Sequence, residues 1–171
     1  MTRTLPYIAL LLTAILSQIF IFDQIAASVY VAPLVYIIYI ALLPVQTSQI
    51  KMLLAGVMLG VVMDAVMGTD GLNSIATIAV AFFRASIIRL LVGAERSAER
   101  VIPSRLSFGS GDFLRYLAII IALHHFIFFF FESLSFSFLL LFAIRFVVSS
   151  TISIIYVWAL SRIFVVNNFL K

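Results

Sequence analysis

The sequence predicts an all-α integral membrane protein with six transmembrane helices and no sizeable soluble domain. Composition, apolar runs of span length and the distribution of charge predict it. Of 171 residues, 64% are hydrophobic and 11% charged. A soluble domain is roughly half apolar and a quarter charged. Seven acids and eleven bases cannot coat a domain of this length, so lipid must be the solvent for much of the surface. Mean hydropathy is +1.24. The net charge of +4 reads as basic residues gathered on the cytoplasmic side rather than as a nucleic-acid surface. The absence of cysteine excludes disulfides and thiolate metal sites without identifying a compartment.

A spanning helix needs about 20 mostly apolar residues. The first such segment is Leu5–Phe22, ended by Asp23. It exceeds the apolar stretch of a signal peptide, roughly 7–15 residues, and is expected to remain as a helix despite the small residues Ala26-Ala27-Ser28. The second is Ala26–Leu43, ended by Pro44, since proline disfavours helix in the residue before it. The third is Met52–Met67, ended by Gly68 and Asp70-Gly71. The fourth is Leu72–Val92, the fifth Phe113–Phe131, and the sixth Phe138–Phe164. No regular polar–apolar alternation supports a β-barrel.

Loop charge supports the count. The connections after segments one, three and five carry Asp23, Asp70 and Glu132 and no base. The opposite side carries Arg3, Lys51, Arg89, Arg96, Arg100, Arg105, Arg115, Arg162 and Lys171. The positive-inside rule then places both termini in the cytoplasm. The one long polar connection, Gly93–Asp112, begins with a predicted helix over Ala94–Ile102. It continues through Pro103 into an expected flexible stretch, Ser107–Gly111. Its bases Arg89, Arg96, Arg100 and Arg105 fix topology, or form a docking surface for anionic lipid or a cytoplasmic partner.

Inside the spans, Gly56, Gly60, Asp64 and Gly68 recur every four residues along one stripe. Small residues at this spacing let two backbones approach closely, either within the chain or between subunits. Asp64 needs a partner or access to the interface, because a carboxylate in hydrocarbon is costly. Arg145 is the one base that topology does not explain, and an Asp64–Arg145 pair is expected, with Glu132 as the other acid at similar depth. Arg84 either snorkels to the headgroups or pairs internally. Adjacent residues on a helix point about 100° apart, so His124 and His125 make a poor chelate and are expected to hydrogen-bond between helices. No nucleophile elbow, zinc-protease motif, phosphate loop or intramembrane aspartate pair is present. Neither a catalytic residue, nor a metal, nor a cofactor is expected.

Three stretches together resemble the MreD family of rod shape-determining proteins, in the branch found in Bacteroidetes-like bacteria. They are Leu53–Gly71, the Ala81-Phe82-Phe83-Arg84 run, and Tyr116 to Glu132 with its His124-His125 pair. The resemblance extends over the size, six-span layout and charge asymmetry of the whole chain. It implies a six-helix fold similar to the substrate-binding component of energy-coupling-factor transporters. It also implies a non-enzymatic scaffold in the bacterial inner membrane that binds MreC and regulates lateral peptidoglycan synthesis. The wider partners it implies are MreB, a glycan polymerase and a penicillin-binding transpeptidase, with a homodimer as a further state. The alternatives are a small-molecule-binding subunit of a transporter and, with less to support it, an enzyme acting on a lipid-linked substrate.

Overall fold

The structure, a computed structural model, describes residues 5–25, 30–99, 101–133 and 139–166. Predicted features at Arg3, Ala26–Ser28, Arg100, Phe138 and Lys171 lie outside the described residues. The architecture is all-α, with no strand among the described residues. Its helices are α1 (Leu5–Ser17), α2 (Asp23–Ile25), α3 (Ile38–Ala41), α4 (Gln49–Met67), α5 (Leu72–Ser97), α6 (Arg105–Phe108), α7 (Ser110–Ser133) and α8 (Leu139–Ser161). A π-helical turn, Gln18–Phe22, continues α1, and another, Arg162–Val166, continues α8. Among the described residues, five helices are long and apolar enough to cross a membrane: Leu5–Phe22, α4, α5, α7 and Leu139–Phe164. The chain is thus a multi-span helical membrane protein.

The long helices pack as successive neighbours in the order α4, α5, α7, α8, with α1 reached from α8. The largest helix contacts are α4 on α5, α5 on α7, and α7 on α8. Tyr156 of α8 meets α1 through a 2.6 Å bond to Ser17 Oγ and an edge-on contact with Phe22. α7 is the central element, with half of its most apolar stretch buried against a fifth to a third for the other spans. The outer faces of the helices carry large exposed apolar side chains such as Phe20, Met58, Phe82 and Leu140, as lipid requires.

The predicted second helix, Ala26–Leu43, is corrected by the structure. Of its described residues, 30–43, residues 31–35 are neither helical nor turned, and helix is confined to the four residues of α3. Pro33 gives the physical reason. In a helix interior it lacks the N–H and clashes with the carbonyl four residues earlier. The segment is nonetheless deeply buried, with Leu34 through Ile38 at most 1% exposed. Irregular backbone at membrane depth is tolerated only where protein surrounds it.

The segment runs beside α5 from one end to the other. Tyr36 bonds to Asn73 on the first turn of α5. Ala41 and Leu43 meet Arg84, eleven residues and therefore ~16 Å further along the helix. Val45 N–H then bonds to Val101 O beyond the end of α5, at 2.9 Å.

The long polar connection is also more ordered than its composition predicts. Gly93 (φ 82°, ψ 169°) breaks α5 where the span was expected to end, and helix resumes only to Ser97. The stretch Ser107–Gly111, expected to be flexible, contains the end of α6 and the start of α7. Ser104 caps α6 by accepting from Ser107 N–H, while Ser107 Oγ accepts from Ser104 N–H. Phe108 is buried against Tyr116.

Candidate functional site

Among the described residues, polar side chains within the spans build two larger sites, with the Arg145–Glu132 ion pair apart from both. The larger site is the sheath around the extended segment. Each non-helical peptide group there needs a partner, because an unpaired buried N–H or C=O is costly. Gln18 lies across the segment like a strand neighbour. Its Nε2 donates to Pro33 O at 3.0 Å and its Oε1 accepts from Val35 N–H at 2.8 Å. Ser149 Oγ accepts from Ala32 N–H at 2.9 Å. His125 Nε2 accepts from Leu34 N–H at 3.1 Å. This places the single ring N–H on Nδ1, which donates to Ile121 O at 2.9 Å.

At the far end Arg84 and Tyr116 perform the same task. Arg84 Nε donates to Tyr116 Oη at 2.9 Å. Its Nη2 donates to the carbonyls of Ala41, at 3.3 Å, and Leu43. Tyr116 Oη in turn donates to Ala41 O at 2.8 Å. Arg84 is 2% exposed. Of its two expected fates the structure takes internal pairing, with carbonyls rather than a carboxylate as partners.

The second site centres on Asp64. Its Oδ1 accepts from Thr69 Oγ1 at 2.7 Å and Asn73 N–H at 2.9 Å. Its Oδ2 accepts from Ser74 N–H at 3.0 Å and Ser74 Oγ at 2.5 Å. The carboxylate therefore caps the first turn of the neighbouring helix α5, where free N–H groups and the helix dipole favour an anion.

Asn73 joins the two sites. It donates to Thr69 Oγ1 at 2.5 Å and accepts from Tyr36 Oη at 2.6 Å. Tyr36 has one proton and gives it to Asn73, so it accepts from His124 Nε2–H at 2.9 Å. His124 Nδ1 is left as a fully buried acceptor without a hydrogen-bond partner, and Ser150 Oγ is likewise unpartnered.

The expected Asp64–Arg145 pair is not formed. Arg145 binds Glu132 instead, at 2.7 Å, and its guanidinium lies 4.9 Å from the Phe129 ring. Asp64 is already saturated by the start of α5, whereas Glu132 ends α7 and faces the first turns of α8. Both members of the ion pair are partly exposed.

The glycine stripe divides. Gly56 and Gly60 face α5 within the chain. A Cβ on Gly56 would lie 3.0 Å from Ala81 Cβ and 3.3 Å from Thr77 O; one on Gly60 would lie 2.5 Å from Ser74 Cα. Gly68 does not belong to that contact. It closes α4 in the left-handed conformation (φ 66°) with open space around it. Among the basic residues, Arg89 and Arg96 are exposed. Arg105 and Arg162 both approach Trp158, at 5.9 and 3.8 Å from its ring centre.

Gln18, Tyr36, Asn73, Tyr116 and Ser149 belong to these networks without having been expected there. Each is a polar or hydroxyl-bearing residue in an apolar run, and together with Pro33 they were the available signal. The structure brings His124, His125 and Arg84 around one buried strip of backbone and keeps Asp64 at its margin. No cluster of three or more potential metal-binding His, Cys, Asp or Glu side chains occurs among the described residues. No protein-family model, curated protein or solved structure matches the chain.

Proposed function

We propose that this chain is a non-enzymatic membrane scaffold of the bacterial cell-elongation machinery, of the MreD kind, acting through MreC. The observation that carries the reading is the use of its intramembrane polar groups. Gln18, Arg84, Tyr116, His125 and Ser149 are engaged by the backbone of the extended segment, and Asp64 by the first turn of α5. These groups hold the fold, which leaves partner recognition to apolar helix faces and the basic rim.

In this reading the extended segment is the sixth crossing, so both termini lie in the cytoplasm of the inner membrane. The same reading carries a fold similar to the substrate-binding component of energy-coupling-factor transporters. MreC is the direct partner. MreB, the glycan polymerase and the penicillin-binding transpeptidase belong to the wider assembly, and a second copy of the chain and membrane lipid are further neighbours. Nucleic acid is not a partner. Affinity capture of the tagged chain from its native membrane, in a detergent that keeps the elongation complex together, is expected to recover MreC. Capture that lacks MreC while the complex itself survives overturns the proposal.

One observation favours a second reading, a small-molecule-binding transporter subunit. His124 Nδ1 and Ser150 Oγ are buried without partners, as groups facing a ligand would be. Native mass spectrometry that finds a stoichiometric small molecule, lost in H124L, favours this reading over the first.

A further inference from the structure

The end of the bundle that carries Trp158 has a feature the scaffold reading does not use. Arg162 sits over the Trp158 ring, with its guanidinium carbon 3.8 Å from the ring centre. Arg105, on the separate helix α6, approaches the same ring at 5.9 Å. The two guanidinium groups are therefore less than about 10 Å apart, since each is tethered to one indole. Neither forms an ion pair among the described residues, whose two salt bridges are Arg115–Asp112 and Arg145–Glu132. A guanidinium stacked on an aromatic face keeps its edge N–H groups free for two oxygens of an anion, in the fork geometry that suits phosphate.

The surface leading to this pair is apolar. Val147 (58% exposed) and Ile155 (62%) lie on the outer face of α8, with Thr151 also exposed between them. Their spacing of four places them along one stripe, which ends at Arg162. Leu106 beside Arg105 and Ile163 beside Arg162 are 71% and 53% exposed. An apolar track ending in a tryptophan and two arginines has the layout of a phospholipid, with acyl chains along the stripe and the headgroup at the charges. Tryptophan is itself enriched at the membrane–water boundary. The π-helical turn begins at Arg162, and such turns are frequent at functional positions.

We propose that Arg105, Trp158 and Arg162 form a binding site for the phosphate headgroup of an anionic phospholipid, phosphatidylglycerol being the probe of choice. The site is independent of the elongation-complex reading and stands if MreC is not a partner.

Trp158 is the sole tryptophan of the chain, so its emission reports the site alone. The full chain is placed in phosphatidylcholine nanodiscs containing a minor fraction of brominated lipid. Brominated phosphatidylglycerol is expected to quench Trp158 more than brominated phosphatidylcholine at equal fraction. The excess corresponds to roughly five-fold local enrichment for each arginine engaged. R105Q and R162Q each lose part of that excess, the double variant loses all of it, and R115Q, at an exposed arginine paired with Asp112, keeps it. The single variants keep the test decisive whether or not the double variant folds. Equal quenching by the two lipids overturns the proposal, as does an excess that survives in R105Q and R162Q. A shift of Trp158 emission on adding inorganic phosphate, with no excess quenching by brominated phosphatidylglycerol in its absence, assigns the site to a free phosphate and overturns the lipid.

Discussion

Gly60→Ala tests the packing of α4 on α5. The added methyl would sit 2.5 Å from Ser74 Cα and 3.0 Å from Ser74 N. Ordinary contact begins near 3.4 Å, so the helices must part by nearly ~1 Å locally; overpacking of this kind costs about 1–3 kcal/mol. The displaced residue is also a donor to Asp64, through both N–H and Oγ. Weakening one hydrogen bond to a charged group adds about 1 kcal/mol, discounted because Asp64 is only partly buried. The expected loss is roughly 2–4 kcal/mol. Gly56→Ala meets Ala81 Cβ at 3.0 Å and no backbone atom closer than 3.3 Å, and should cost about 1 kcal/mol or less. Reversible unfolding in mixed dodecyl maltoside and dodecyl sulfate micelles, followed by Trp158 emission, measures both. Because the clash is with backbone, Ser74→Ala should not rescue Gly60→Ala. The reasoning fails if Gly60→Ala lies within about 0.5 kcal/mol of wild type, the usual scatter of neutral changes, or if the double variant recovers.

Three further outcomes follow from the polar networks, all measured by the same micelle titration. Asp64→Ala removes the acceptor for Asn73 N–H and Ser74 N–H and should cost about 1–2 kcal/mol, as loss of a helix cap does; Asp64→Asn should cost less. Arg84→Met leaves the Ala41 and Leu43 carbonyls without their guanidinium donor. It should cost about 2–4 kcal/mol after relief of the buried charge, and Arg84→Lys should restore only part, since an ammonium cannot reproduce the forked donors. For Arg145 and Glu132, each single charge reversal should destabilise and the double reversal E132R/R145E should recover most of the loss. The pair is partly exposed, so neutralising both members should cost less than about 1 kcal/mol.

Hydropathy made the helical spans legible because each is a run of side chains facing lipid, and lipid asks only that they be apolar. It failed for the segment between α1 and α4 because a sequence buried by protein on every side is equally apolar. Pro33 separated the two cases, and reading only Pro44 as a helix stop lost that information. The Gly56–Gly60 spacing announced close packing, since only a missing Cβ permits it, but not the partner helix. The carboxylate of Asp64 announced the need for a partner. Identifying that partner required knowing that Gly68 reverses the chain, which brings the first turn of α5 back beside Asp64. Arg145 was legible as paired and assigned to the wrong acid for the same reason.

The irregular segment explains why a bundle this apolar retains so many polar side chains. A helix in lipid satisfies its own backbone, whereas an extended strip does not. Among the described residues its donors and acceptors are met by Gln18 beyond α1, Arg84 from α5, Tyr116 and His125 from α7, and Ser149 from α8. No one of these helices could hold the strip alone. Helices in lipid gain little from apolar contact with each other, because lipid tails are as apolar as leucine. A shared strip of backbone that each must hydrogen-bond supplies a directional reason to assemble in one order. Loss of a single polar side chain should therefore loosen several helices together, and the surface presented to any partner would change at faces far from the substitution.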